Sequence, residues 1–275
     1  LKLFKDGLSS AESANDRRTQ ALALNGIANI TAKMGNKQEA LDSYARAQTL
    51  VEQIGDQVNL ASILGGMGSL YFWMGDAQKA LGFLERSVAI FEDIGQRWGV
   101  AEAKLDLGRI RRSLGDHKKA LETLLEALAL FKALQMRRVE AHVLREIGLV
   151  QTALGDLQNA RNSFEQALKL TRTGQDHRHE AYTLIYLGKM FEELKNPNQA
   201  LTSYRHALSL SKVAADPAVE SNALFNIARI ERNEGKLLQA QKDVEAAITL
   251  DELIACVVFR DRSCGLRTLH RYPNA

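Results

Sequence analysis

The sequence predicts an all-α fold, an array of antiparallel helix pairs, and three observations carry that prediction. The first is a 40-residue register: Ala40, Ala80, Ala120, Ala160, Ala200 and Ala240 are all alanine. Gly35, Gly75, Gly115, Gly155 and Gly235 keep the same step, with Lys195 as the exception. So do Gly68, Gly108, Gly148 and Gly188, flanked by Ala28 and Ala228. The second is a helical period inside each unit. The third is composition: 3 prolines, 6% aromatics, and no runs of the β-branched residues that favour strands. A fixed period of this length is the mark of a repeat architecture, in which each unit buries its apolar face against its neighbours.

The elements follow in order. Residues 1–16 align with 41–56, Leu1 on Leu41, Phe4 on Tyr44 and Asp16 on Asp56. They read as a half repeat, the second helix of a pair, and the expectation is that the chain is a piece of a longer array. Six pairs are then expected at roughly 17–54, 57–94, 97–134, 137–174, 177–214 and 217–254. The third pair shows the logic. Leu107, Ile110 and Leu114 mark one face of its first helix, helix A. Ala120, Leu121, Leu124, Ala127, Leu128 and Phe131 mark the second, helix B. Gly115 suits the left-handed residue that ends a helix, and Asp116 can cap the next one. Asn36, Asp76, Asp156 and Asn196 repeat that cap. Pro197 and Pro217 stand at first helical positions, where a missing N–H costs nothing. A short polar loop such as Ile54-Gly55-Asp56 is expected between pairs.

The small-residue columns have a packing reason. The Gly108 and Ala120 columns fall where helix A must approach helix B, and a longer side chain would push the axes apart. Propensity alone would not hold alanine at one phase six times. The array is expected to span 1–254. Residues 255–275, with Cys256 and Cys264, four arginines and a proline, lose the helical period and read as an irregular tail. A metal site from Cys256, Cys264 and His270 has the wrong spacing for a compact zinc pattern, so no metal is expected.

Several function classes are excluded. The formal charge is +3, with 36 basic against 33 acidic residues, which gives no general reason to expect nucleic-acid binding. No apolar run approaches twenty residues, so no membrane partner is expected, and residues 1–10 are not a secretory signal. A body without cysteine suits a reducing, cytoplasmic setting. No HExxH, GxSxG or P-loop string occurs. His177-Arg178-His179 reads as a solvated polar loop. The expectation is no catalytic residue, no cofactor and no enzyme.

The small residue of helix A (Gly68 to Gly188), the large residue three later (Tyr71, Phe191) and the alanine of helix B (Ala40 to Ala240) resemble the tetratricopeptide repeat pattern. Tyr44, Leu84, Leu124, Phe164 and Tyr204, four after that alanine, and the small Ala47 and Ala127 complete the match. The commonest form repeats at about 34 residues, so these helices are longer. The long repeats are similar to arrays of bacterial proteins with a caspase-like CHAT domain, to Pins-type adaptors and to bacterial sensor arrays. The resemblance implies a right-handed superhelical solenoid with an inner wall of A helices that binds peptides or helices. It also implies two functions, a protein-interaction scaffold or the sensor array of a larger protein with an enzymatic or signalling domain elsewhere.

On that wall the non-core phases are Asn25, Asn29, Ser69, Arg109, Arg112, Arg145, Lys189, Asn226 and Arg229, with Asn222 and Arg232. Glu102, Asp106, Glu146, Glu192 and Glu193 are interspersed. Asparagine can hold a peptide backbone and arginine a carboxylate. Phe72 and Trp73 follow Tyr71, and three successive aromatics cannot share one helix face, so at least one should face a partner. Tyr182 and Tyr186, one turn apart, form a second candidate pair. The expected partner is a protein or peptide, acidic or amphipathic, with self-association through exposed end helices as a further mode. Gly66 and Leu105 stand where a carboxylate clamp would need polar groups, so no such clamp is expected.

Overall fold

A computed structural model describes the backbone of residues 1–259 and the side chains of residues 1–254. Among these residues are thirteen α-helices and no strand. They are α1 (Lys2–Ser13), α2 (Arg17–Lys33), α3 (Lys37–Ile54), α4 (Gln57–Trp73), α5 (Ala77–Asp93), α6 (Arg97–Ser113) and α7 (His117–Ala133). After them come α8 (Arg137–Ala153), α9 (Leu157–Thr173), α10 (His177–Glu193), α11 (Pro197–Val213), α12 (Pro217–Asn233) and α13 (Leu237–Phe259). From α2 onward every helix begins 20 residues after the last, so the 40-residue repeat is two helices in equal steps.

The chain forms two compact units, Leu1–Met136 and Arg137–Ala275. In the first, α2 packs on α3, α4 on α5 and α6 on α7 as A–B pairs, each B helix also meets the next A helix, and α1 packs on α2. The second repeats this with α8–α9, α10–α11 and α12–α13.

One turn serves every junction. At Leu114-Gly115-Asp116, the Asp116 amide donates to Arg111 O at 3.0 Å and the Gly115 amide to Arg112 O at 3.1 Å. That satisfies carbonyls the ending helix would leave bare. Gly115 takes φ +81°, and Asp116 accepts from the Lys119 amide to start α7. The links between pairs are the same turn: Asp56 N donates to Val51 O at 2.9 Å around Gly55 at φ +71°. The polar loop expected there is therefore this Gly-Asp turn again. Lys195, Gln135, Gln175 and Ala215 occupy the left-handed position without being glycine. Asn36 is the cap that fails: its side chain accepts no amide, and its amide group points to Glu39 instead.

The pair core is close packed. A Cβ on Gly108 would stand 2.6 Å from Leu124 Cγ, and one on Gly188 2.5 Å from Tyr204 Cε1. Ala80, Ala120, Ala160 and Ala200 have no exposed surface. Ser87, the serine in an alanine column, is buried with its hydroxyl donating to Ala61 O at 2.7 Å. Buried polar groups of this kind are tolerated when paired.

Three expectations change. Leu114 is 40% exposed, because it caps α6 rather than facing its core. His177, Arg178 and His179 form the first turn of α10, not a loop, and Asp176 accepts from the His179 amide. The helix expected to lose its period after residue 254 continues to Phe259. Cys256, Cys264 and His270, whose spacing argued against a metal site, lie outside the residues with described side chains.

Candidate protein-binding surfaces

Within each unit helix A lies beside the next helix A: α2 touches α4 and α4 touches α6, as α8 touches α10 and α10 touches α12. In the first unit this row bounds a groove of about 550 Å³. Asn29 and Lys33 line it from α2, Val58, Asn59, Ser62, Ser69 and Trp73 from α4, and Trp98, Glu102 and Asp106 from α6. Its floor comes from helix B side chains, Tyr44 of α3 and Leu84, Ser87 and Phe91 of α5.

Gly66 explains the floor. Tyr44 is 1% exposed, and a Cβ on Gly66 would fall 2.6 Å from its hydroxyl oxygen. The tyrosine uses that gap, and its O–H donates to Asn29 Oδ1 at 2.9 Å. Burial pushes the phenol up to about 12, so it stays a neutral donor. Asn29 in turn donates to Asn25 O at 2.9 Å, so part of its amide is committed.

At the α6 wall the charge is negative. The Ser69 hydroxyl donates to Asp106 Oδ2 at 3.3 Å, and Arg109 pairs with Asp106 Oδ1 at 3.3 Å. Burial, and then the Asp106 charge, hold the Glu102 carboxyl above its usual value. Trp73 is 57% exposed and Trp98 44%, and both line this groove.

Trp98 and Val58 are residues the sequence reading missed, though a signal for them exists. An arginine at the second residue of helix A pairs with the capping aspartate of the next helix A. Arg18–Asp56 closes at 3.1 Å, Arg138–Asp176 at 3.0 Å and Arg178–Asp216 at 2.5 Å. The matching positions in α4 and α6 carry Val58 and Trp98, and Gln96 replaces the aspartate opposite Val58. An Arg–Asp offset of 38 residues, broken only in the groove helices and the last pair, is legible in the sequence once its partner is known.

The second unit has a groove of about 720 Å³ along α10, α12 and α13, lined by Lys189, Glu192, Asn222, Phe225, Asn226, Arg229, Val244 and Ile248. Its polar groups hold one another. Glu192 Oε1 accepts from Tyr204 Oη and from Arg229 Nη2, both at 2.5 Å. Burial, then the Glu192 carboxylate, raise the Tyr204 phenol. The buried Asn226 donates to Asn222. Burial and then Arg229 lower the Lys189 ammonium, against the pull of Glu192, and it lies 5.7 Å from the Tyr186 ring.

Of the sequence candidates, Asn29, Ser69 and Trp73 line the first groove and Lys189, Asn226 and Arg229 the second. Asn25 supports Asn29, Phe72 is half-buried against the core, and Arg109 holds Asp106. Arg112 is half-buried. Arg145 is buried with its guanidinium 5.9 Å from the Tyr182 ring, and Tyr182 and Tyr186 pack on the core of the second unit.

A tetratricopeptide repeat family model matches residues 19–93, 59–133 and 139–212, and a second model of the same description matches 221–252. The chain belongs to the tetratricopeptide repeat family. The repeats make it a protein-interaction array. Among curated protein sequences none matches. Solved structures of similar fold include BtubC from P. vanneervenii, 21% identical with a TM-score of 0.69 over 78% of this chain and 91% of that one. A Rap protein complexed with competence and sporulation factor is 14% identical, TM-score 0.67, over 93% and 81%. A signal-transduction ATPase of Pyrococcus horikoshii with a tetratricopeptide repeat sensor is 15% identical, TM-score 0.72, over 99% of this chain and 44% of that one. Among the described residues no helix is long and apolar enough to cross a membrane.

Proposed function

We propose that this tetratricopeptide repeat array, read as continuous through residue 254, binds a peptide or helix of a partner protein along its helix A wall, with the first unit's groove as the main seat. The observation that carries this is the pair of exposed tryptophans, Trp73 and Trp98, on the walls of one groove. Large aromatics beside a pocket are the side chains that dominate protein-interface energies. The Rap structure, a complex with competence and sporulation factor, supports a bound partner for this architecture. The protein acts by binding, in the cytoplasm, without cofactor.

A second reading is the sensor of a larger protein. It is favoured by the sensor array in the signal-transduction ATPase, of which the similar region is 44%.

A photo-crosslinking amino acid at Ser62, on the groove wall, tests the main reading against one at Glu122, on helix α7. Ser62 should capture a partner from the native extract, and Trp98→Ala should remove that capture. Equal capture from Glu122, or capture indifferent to Trp98→Ala, would overturn it.

A further inference from the structure

Resting on that reading, we infer that the segment seated in the first unit's groove is amphipathic and basic: apolar side chains pack against the two tryptophans, and an arginine or lysine near the Trp98 contact meets the carboxylates of α6. The argument begins with what the groove lacks. At the matching position of α2, α8 and α10 an arginine reaches the next helix cap, a charged rung that closes the rim. In α4 and α6 the rungs are gone, and Val58 and Trp98, each 44% exposed, leave an apolar opening instead. Charge marks its α6 wall. Glu102 and Asp106 lie one turn apart on α6, and both line the groove. Asp106 is already shared by Ser69 and Arg109. Among the described residues Glu102 pairs with no cation.

Partial burial makes that vacancy matter. A carboxylate losing water beside a second carboxylate is held in its charged form at a cost, which a cation on the partner would offset. The raised Glu102 carboxyl agrees with this arrangement. Trp98, one turn before Glu102 on α6, favours a cation further, since ammonium and guanidinium groups are attracted to aromatic rings. Lys33, the cation lining the groove, sits on α2 at the opposite wall. An acidic segment would meet Glu102 and Asp106 without compensation. The partner chemistry expected for the wall as a whole, acidic or amphipathic, is thus narrowed in this groove to amphipathic and basic.

The chain contains two tryptophans, and both line this groove, so intrinsic emission reads its occupancy directly. The probe is a pair of short helical peptides with leucines on one face, identical except that one carries arginine and the other glutamate beside the leucines. The arginine peptide should shift tryptophan emission of the intact chain and weaken with added salt. Glu102→Gln with Asp106→Asn, checked for unchanged helicity and thermal midpoint, should weaken it by about tenfold or more, the loss expected for partly desolvated charge pairs. Binding of the glutamate peptide as tight as or tighter than the arginine peptide overturns the basic assignment and leaves the groove as a docking site. Absence of any emission change or binding heat with either peptide overturns both readings. If the double variant binds arginine peptide as well as the parent, the carboxylates are not the seat.

Discussion

Single residues decide how well each turn and each pair closes. Ala215 holds φ +49° where other turns have glycine, a conformation that costs an L-residue about 1–2 kcal/mol. Ala215→Gly should therefore stabilise the protein by about 0.5–1 kcal/mol after the extra chain entropy of glycine is counted. Differential scanning calorimetry should show a higher thermal midpoint, and a lower one would mean the turn is held by something other than its φ. The opposite holds at Gly188. Its added Cβ would meet the Tyr204 ring, and Tyr204 is anchored through its hydroxyl to Glu192. Gly188→Ala should cost about 1–3 kcal/mol by overpacking, read from urea unfolding. Both columns of small residues were legible in the sequence because a steric limit repeats with the fold. The role of Gly66 was not, since it serves a tyrosine 22 residues earlier in another helix.

At the scale of the helix, legibility depends on whether the signal is local. Turn residues, caps and proline starts lie beside the helix they control, and most were readable. Asn36 shows the limit, because a capping residue type does not guarantee a capping rotamer. The Arg–Asp rungs joining successive A helices were invisible as such, since each spans 38 positions. Asp176, in one of them, has an acid signature. Burial raises the Asp176 carboxyl, but hydrogen bonds from His179 and the nearby Arg138 charge outweigh it, so the net shift is downward. A depressed carboxylate contributes stability above its unfolded value, near pH 3.8, and loses it as pH falls through the folded value. Asp176→Asn should therefore flatten the stability loss on acidification at the start of α10, followed by circular dichroism across that range. An unaltered acid limb would show that the aspartate titrates alike in both states.

Over the whole molecule, the sequence displayed the array and left open where it divides. The equal steps run on through Met136, where the capping aspartate of other turns is replaced by methionine, and the contacts gather into one unit up to that residue and another from Arg137. The resemblance implied a wall of A helices as the docking face, but not which side chains on that wall already hold others, as those of Arg145, Arg229 and Asn226 do. That requires knowing which side chains meet across helices. Within the first unit each pair leans on its neighbours, so protection against hydrogen exchange should be higher in α4 than in α1, whose packing is against α2 and whose Leu3 is 81% exposed. Exchange of α1 as slow as that of α4 would contradict this.

The even spacing of helix starts has one more consequence. Because every junction uses the same three-residue turn, a cut at any position and a rejoining 40 residues onward makes a seam with the geometry of its neighbours. Gene duplication or loss can lengthen or shorten such a protein by whole hairpins without redesigning a single corner. The tryptophan-bearing hairpins would then travel as a cassette, portable between arrays of different length.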